Sequence, residues 1–130
     1  MKQLLLLISI LISTALFYFN GPASWSDEYA VRGIDVSHYQ ENIDWNTVAK
    51  QQVDFVFVKA TEGNTLNDKL FCDNWEAIKA EGMHRGAYHF FRANVSPEQQ
   101  ALNFIRNVKM EAGDLPPVLD VETLDGSGKI

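Results

Sequence analysis

Asp54-Phe-Val-Phe-Val-Lys-Ala60 is a nearly unbroken run of apolar and β-branched residues. Runs of this kind belong to strands covered on both faces, as in a parallel sheet. Working outward, strand patterns recur at Val31 to Ser37, at Arg85-Gly-Ala-Tyr-His-Phe-Phe91 and at Pro117 to Glu122. Helical periodicity fills the gaps. Asp44 to Gln52 opens on an N-capping aspartate and turns Trp45, Val48 and Ala49 inward. Next, Phe71, Trp75 and Ile78 share one stripe, and Gly82 stands where a left-handed C-terminal cap is needed. In the third, Ser96-Pro-Glu-Gln99 supplies a capping hydroxyl, a proline at the first helical position and a reciprocal glutamine, with Ala101, Phe104, Ile105 and Val108 along one face. The order β-α-β-α-β-α-β predicts right-handed βαβ units and an α/β fold. Four strands are half of an eight-stranded barrel, which needs about 200 residues or more; this chain has 130. The expectation is therefore a truncated product, or a minimal sheet that pairs with something else.

Composition narrows the function. With 17 acidic against 11 basic residues the formal net charge is −6, so the basic footprint that nucleic acid demands is missing and no nucleic-acid partner is expected. One cysteine, Cys72, excludes an internal disulfide framework, and it is expected to be a small buried apolar residue. His38, His84 and His89 lie on separate segments without ligand spacing, so neither metal nor cofactor is expected. Residues 1–26 read as a signal peptide or N-terminal membrane anchor: Lys2 precedes an uncharged apolar run from Leu4 to Phe19, followed by the small residues Gly21, Ala23 and Ser24. Export is implied either way, to a secreted, periplasmic or envelope-anchored location. A tether through residues 4–19 is the alternative to cleavage, with Tyr18, Trp25 and Tyr29 at the interface. Residues 31–130 form the folded domain.

The chemistry lies in Leu115-Pro-Pro-Val-Leu-Asp-Val-Glu122. Strand side chains alternate faces, so Asp120 and Glu122 point together, their Cβ atoms roughly 6–7 Å apart. Two carboxylates held that close in a poorly solvated cleft raise one another's pKa, leaving one protonated and one ionised near neutral pH. Cleavage of a glycosidic bond uses that division. Glu62, with Lys59 near the end of the second strand, is a candidate to border the cleft, with surface ion pairing the stronger expectation, and Gly63 and Gly86 are expected to allow a turn or close backbone approach.

In order and spacing, Gly33-Ile-Asp-Val-Ser37, Phe57-Val-Lys-Ala-Thr-Glu-Gly63, Gly86-Ala-Tyr-His-Phe90 and Leu115 to Glu122 resemble the glycoside hydrolase family 25 lysozymes, the Chalaropsis-type N-acetylmuramidases. The resemblance implies a parallel β/α barrel of the glycosidase TIM-barrel-like type, of which only the first half is present. It implies a groove at the carboxyl ends of the strands and cleavage of the β-1,4 bond between N-acetylmuramic acid and N-acetylglucosamine in peptidoglycan glycan strands. Carried over to matching positions, it makes Glu122 the acid/base, Asp120 the second carboxylate and Asp35 a further acidic group on the cleft floor. Tyr88 and Phe90, at alternate positions of the third strand, are candidates for packing against sugar rings. The family's later strands, with at least one more acidic active-site residue, have no counterpart here. The competing expectation is a catalytically silent glycan-binding or structural module.

Overall fold

The computed structural model describes residues 29–124 and 128–129. The chain divides into two units, Met1–Ala30 and Val31–Ile130. The expected signal or anchor lies outside the described residues, among which no helix is long and apolar enough to cross a membrane. In chain order the second unit contains β1 (Gly33–Val36), α1 (Trp45–Ala49), β2 (Phe55–Glu62), β3 (Leu66–Asn67), α2 (Phe71–Ala80), β4 (His84–Phe90), α3 (Pro97–Asn107), β5 (Val118–Asp120), β6 (Thr123–Leu124) and β7 (Gly128–Lys129). Strands β1, β2, β4 and β5 lie side by side in that order, all parallel. This is the expected half-barrel order. Two short pairings depart from it: β3 folds back antiparallel on the end of β2, and β6 pairs with β7.

Alternation sorts the sheet into two faces. The outer face carries Val36, Val56, Val58, Ala60 and Ala87, and these pack with Trp45, Phe71, Trp75, Ile78, Met83 and Val108 into the core. Fully burying a Val or Ile side chain is worth about 1.5–3 kcal/mol, so Val56, Val58 and Ile78, at 0% exposure, anchor the helices to the sheet. Arg85 is buried in the same layer. Its Nε donates to Asp114 Oδ1 at 2.8 Å, its Nη1 donates to the Trp75 carbonyl at 2.9 Å, and its guanidinium lies 4.0 Å from the Trp75 ring centre. Gly82 takes φ +78° directly after α2, as a left-handed cap requires.

The inner face starts with a steric constraint. A Cβ on Gly33 would meet the Phe55 ring at 2.0 Å, and one on Gly86 would meet the Phe57 ring at 2.3 Å. Both glycines give room to an aromatic ring on the neighbouring strand. Further along, the register between β2 and β4 slips: Lys59 pairs with Tyr88, but Thr61 pairs with His89, leaving Ala60 as the extra residue of a bulge. A bulge re-aims the side chains beyond it. Without it Lys59 and Glu62, three apart, would lie on opposite faces; with it both share the inner face with Tyr88 and Phe90.

Three helical expectations need correction. Cys72 is exposed, because it follows Phe71 by about 100° of helical turn and leaves the buried stripe. Gln99 does not complete a reciprocal cap at Ser96; its Oε1 accepts from Asn64 instead. The two-way capping box is at Ser37 and Gln40, just after β1. Finally, α3 buries Gln100 and Asn103, while Ala101 and Ile105 are exposed and Phe104 only partly buried. Gln100 is fully used: Nε2 donates to the carbonyls of Arg92 (2.9 Å) and Val95 (3.0 Å), and Oε1 accepts from Arg92 N (2.9 Å). Because Oε1 only accepts, His89 Nε2, 3.1 Å away, is its donor, and His89 Nδ1 accepts from the Thr61 hydroxyl at 2.7 Å. Asn103 Nδ2 likewise donates to the carbonyls of Gly63 and Leu66. Loop carbonyls between strands, not apolar volume, fix which side of α3 faces inward.

Candidate active site

A cleft of about 300 Å³ opens on the inner face at the carboxyl ends of the strands, lined by Asp35, Phe57, Tyr88, Val118, Asp120 and Glu122 among others. Asp35 comes from β1 and Asp120 from β5, three strand spacings apart in the sheet order. At about 4.8 Å per spacing a flat sheet would hold them roughly 14 Å apart on a plane. That both line one cleft shows the sheet curling inward. Register gives each its height: Asp35 pairs with Phe57, Tyr88 with Lys59 and Val118, and Asp120 with Phe90. Glu122 follows β5 two residues after Asp120 and is exposed at the cleft mouth.

The electrostatics fit a shared acidic floor. Burial pushes the Asp120 carboxyl above its ordinary value, the negative charges of Glu122 and Asp35 push it further, and Lys59 opposes them. The Tyr88 phenol is raised strongly, first by burial and then by Asp35, Asp120, Asp68 and Glu122. Tyr88 therefore stays protonated at all working pH values, a hydrogen-bond donor ringed by carboxylates. Asp68, itself buried, accepts from the backbone N–H groups of His38 and Leu70 at 3.0 Å each and lies 2.6 Å from His38 Nδ1. The Tyr39 ring stands 4.1 Å from the His38 ring.

Of the residues singled out from sequence, Asp35, Tyr88, Asp120 and Glu122 are brought together at the cleft. Phe90 is half-buried and set to one side, its ring flanked by Lys59 Nζ at 4.7 Å and the Arg92 guanidinium at 4.8 Å. Lys59 is buried, and its Nζ lies 2.5 Å from Glu62 Oε2. Glu62 also takes Arg92 at its other oxygen, with Nε donating at 2.9 Å. This is a partly buried triad on the inner face, not the surface pair expected. The signal for it is the shift of face at Ala60, which no residue pattern announces. Among the described residues no group of three His, Cys, Asp or Glu side chains is arranged to hold a metal ion.

A curled parallel sheet with paired acids at the carboxyl end of its fourth parallel strand defines an α/β protein of the glycosidase barrel class. The family model for glycosyl hydrolases family 25 matches residues 34–129, and the chain belongs to that family. It is similar to the uncharacterized protein YegX of Escherichia coli strain K12, 48% identical over 99 residues, covering 72% of this chain and 36% of that protein. It is 42% identical over 106 residues to Lysozyme M1 of Streptomyces globisporus, covering 78% of this chain and 35% of the relative. Among solved structures, a family 25 glycosyl hydrolase from Bacillus anthracis superposes with a TM-score of 0.74 at 45% identity, over 79% of this chain and 49% of that one. The chain thus spans about a third to a half of the relatives it matches.

Proposed function

We propose that this chain is the carboxylate-bearing part of an exported lysozyme-like muramidase that cleaves the β-1,4 bond between N-acetylmuramic acid and N-acetylglucosamine in peptidoglycan. The observation that carries the reading is the convergence of Asp35, Asp120 and Glu122 on one cleft within a family 25 sheet. Glu122, exposed at the cleft, protonates the leaving glycosidic oxygen; such general acid help is worth about 10²–10⁴-fold. Asp120, deeper, serves the anomeric carbon in one of two ways: as a nucleophile, or by orienting the substrate's own 2-acetamido group as it attacks. Both routes retain configuration. Asp35 adds negative charge beneath the developing oxocarbenium ion, and the protonated Tyr88 hydroxyl donates to Asp120 or to a sugar oxygen. Export is inferred from the apolar run at Leu4 to Phe19, with a tether through residues 4–19 if it is retained.

The experiment is turbidity clearing of purified peptidoglycan with release of reducing ends, comparing this chain with Glu122→Gln. Loss of about 10²-fold or more with folding and glycan binding intact supports the acid role. Substantial turnover by the variant refutes it. Because the chain spans about half or less of its relatives, a second reading is a glycan-binding module without turnover; binding to peptidoglycan with no reducing ends released by the unmodified chain would establish it.

A further inference from the structure

We propose that Lys59 is a positioning residue for the reaction, the counter-cation of the acidic floor: a buried ammonium, clamped by Glu62 and seated on the Phe90 ring, that keeps Asp120 ionised beneath the substrate. The inference rests on the part given to Asp120 above and assigns a residue that otherwise has no place in the chemistry.

The geometry has three parts. Lys59 is on the inner face of β2, paired with Tyr88, which lines the cleft. Its Nζ lies 4.7 Å from the centre of the Phe90 ring, and Phe90 is the strand partner of Asp120. Lys59 and Asp120 are thus two strands apart, on β2 and β5, with the Phe90 ring of β4 on the strand between them and the Lys59 side chain itself buried. Glu62 holds the ammonium from the other side at 2.5 Å, a contact that exists only because the bulge at Ala60 returns Glu62 to the inner face. Burial pushes the Glu62 carboxyl up, but hydrogen bonds from Lys59 and Arg92 more than offset this, and it stays ionised.

The groups facing Asp120 can be counted by element. Asp35 from β1 and Glu122 beyond β5 are negative; Tyr88 from β4 is neutral, with Asp68 behind it; Lys59 from β2 is positive, with Glu62 and Arg92 behind it. Phe90 is apolar and transmits no charge of its own. Burial first, and then two anions against one partly neutralised cation, leave Asp120 above its ordinary value, and Lys59 is the group that limits the rise. Glu62 and Arg92 then set how much of the ammonium's field reaches the floor.

Carboxyl-carbon NMR titration tests this without turnover, so an inactive chain does not blur the result. The Asp120 resonance is assigned by its loss in Asp120→Asn. Lys59→Met is expected to raise the Asp120 midpoint by about one pH unit, a tenfold change in its protonated-to-ionised ratio. Glu62→Gln is expected to lower it by about half a unit, since the ammonium is no longer half neutralised. Lys59→Arg is expected to restore the unmodified midpoint to within about 0.3 units, because it keeps the charge. Opposite signs at two touching residues separate an electrostatic role from a packing role. A midpoint unmoved in Lys59→Met overturns the proposal, and so does Glu62→Gln moving it upward or not at all. Should Lys59→Met fail to fold, Glu62→Gln and Lys59→Arg decide alone. Failure of Glu122→Gln to abolish turnover would leave these shifts in place and refute only the acid assignment.

Discussion

Replacing Gly86 by alanine tests whether the cleft floor is built on a missing side chain. The new Cβ would lie 2.3 Å from Phe57 Cε1, 2.5 Å from its Cδ1 and 3.1 Å from Leu115 Cβ, whereas carbon atoms in contact prefer about 3.5–4.0 Å. The Phe57 ring must therefore move by more than about 1 Å. On one side it meets the Phe55 ring edge-on at 5.9 Å, and that ring is itself held under Gly33. The way out is the cleft. Overpacking of this kind costs about 1–3 kcal/mol, which for a domain of this size lowers Tm by about 4–8 °C per kcal/mol. The assay is a double-mutant cycle by chemical denaturation with Gly86→Ala, Phe57→Ala and the pair. With the ring gone the alanine has little to strike, so Gly86→Ala in the Phe57→Ala background is expected to be neutral within about 0.5 kcal/mol. A Gly86→Ala penalty below about 0.5 kcal/mol, or one undiminished by Phe57→Ala, refutes the steric account.

The charges set three further outcomes. Arg85→Met removes the guanidinium that pairs with the Asp114 carboxylate, leaving it only the Glu111 N–H and more distant charge, and is expected to cost about 3–5 kcal/mol in a urea titration. Burial pushes the Asp114 carboxyl up, but the Arg85 hydrogen bond and its other partners bring it below the ordinary range; its contribution is thus present above about pH 4 and lost as pH falls through the folded value. Thermal melts of Arg85→Met are expected to lose less on acidification than those of the unmodified chain. Asp120 has the opposite sign: its raised pKa makes ionisation cost stability, so Asp120→Asn is expected to raise Tm at pH 7 and to lose that gain as pH falls through the raised folded value, with none left below about pH 4.

The parallel sheet and the helices between its strands are legible in the sequence because local signals agree there. The run at Asp54 to Ala60, Gly82 after α2 and the Asp44 cap each point the same way as the tertiary structure. The convergence of Asp35, Asp120 and Glu122 is legible from the ends of strands together with the family resemblance, while Phe57 beside them carries no mark that separates it from core. What escapes is non-local. Periodicity counts apolar residues, so it assigns the inner side of α3 to Ala101 and Ile105, where loop carbonyls instead recruit Gln100 and Asn103. It treats Lys59 and Glu62 as neighbours on a surface, since one extra residue in a strand leaves no compositional mark. Alternation alone matches Phe90 to Tyr88, and only the positions of Lys59 and Arg92 show its ring occupied.

Gln100 supplies peptide-like partners to the backbone just past β4. By bonding Arg92 through both N–H and C=O, and Val95 through C=O, one amide copies the hydrogen-bond pattern of a paired peptide. The turn entering α3 and the helix itself therefore form one cooperative unit, anchored through His89 to the sheet. Opening the turn exposes the helix's polar interior, and fraying the helix strands the turn's carbonyls, so neither opens without the other. Even the isosteric glutamate would break the latch, because a carboxylate oxygen would then confront two carbonyls where a donor is required.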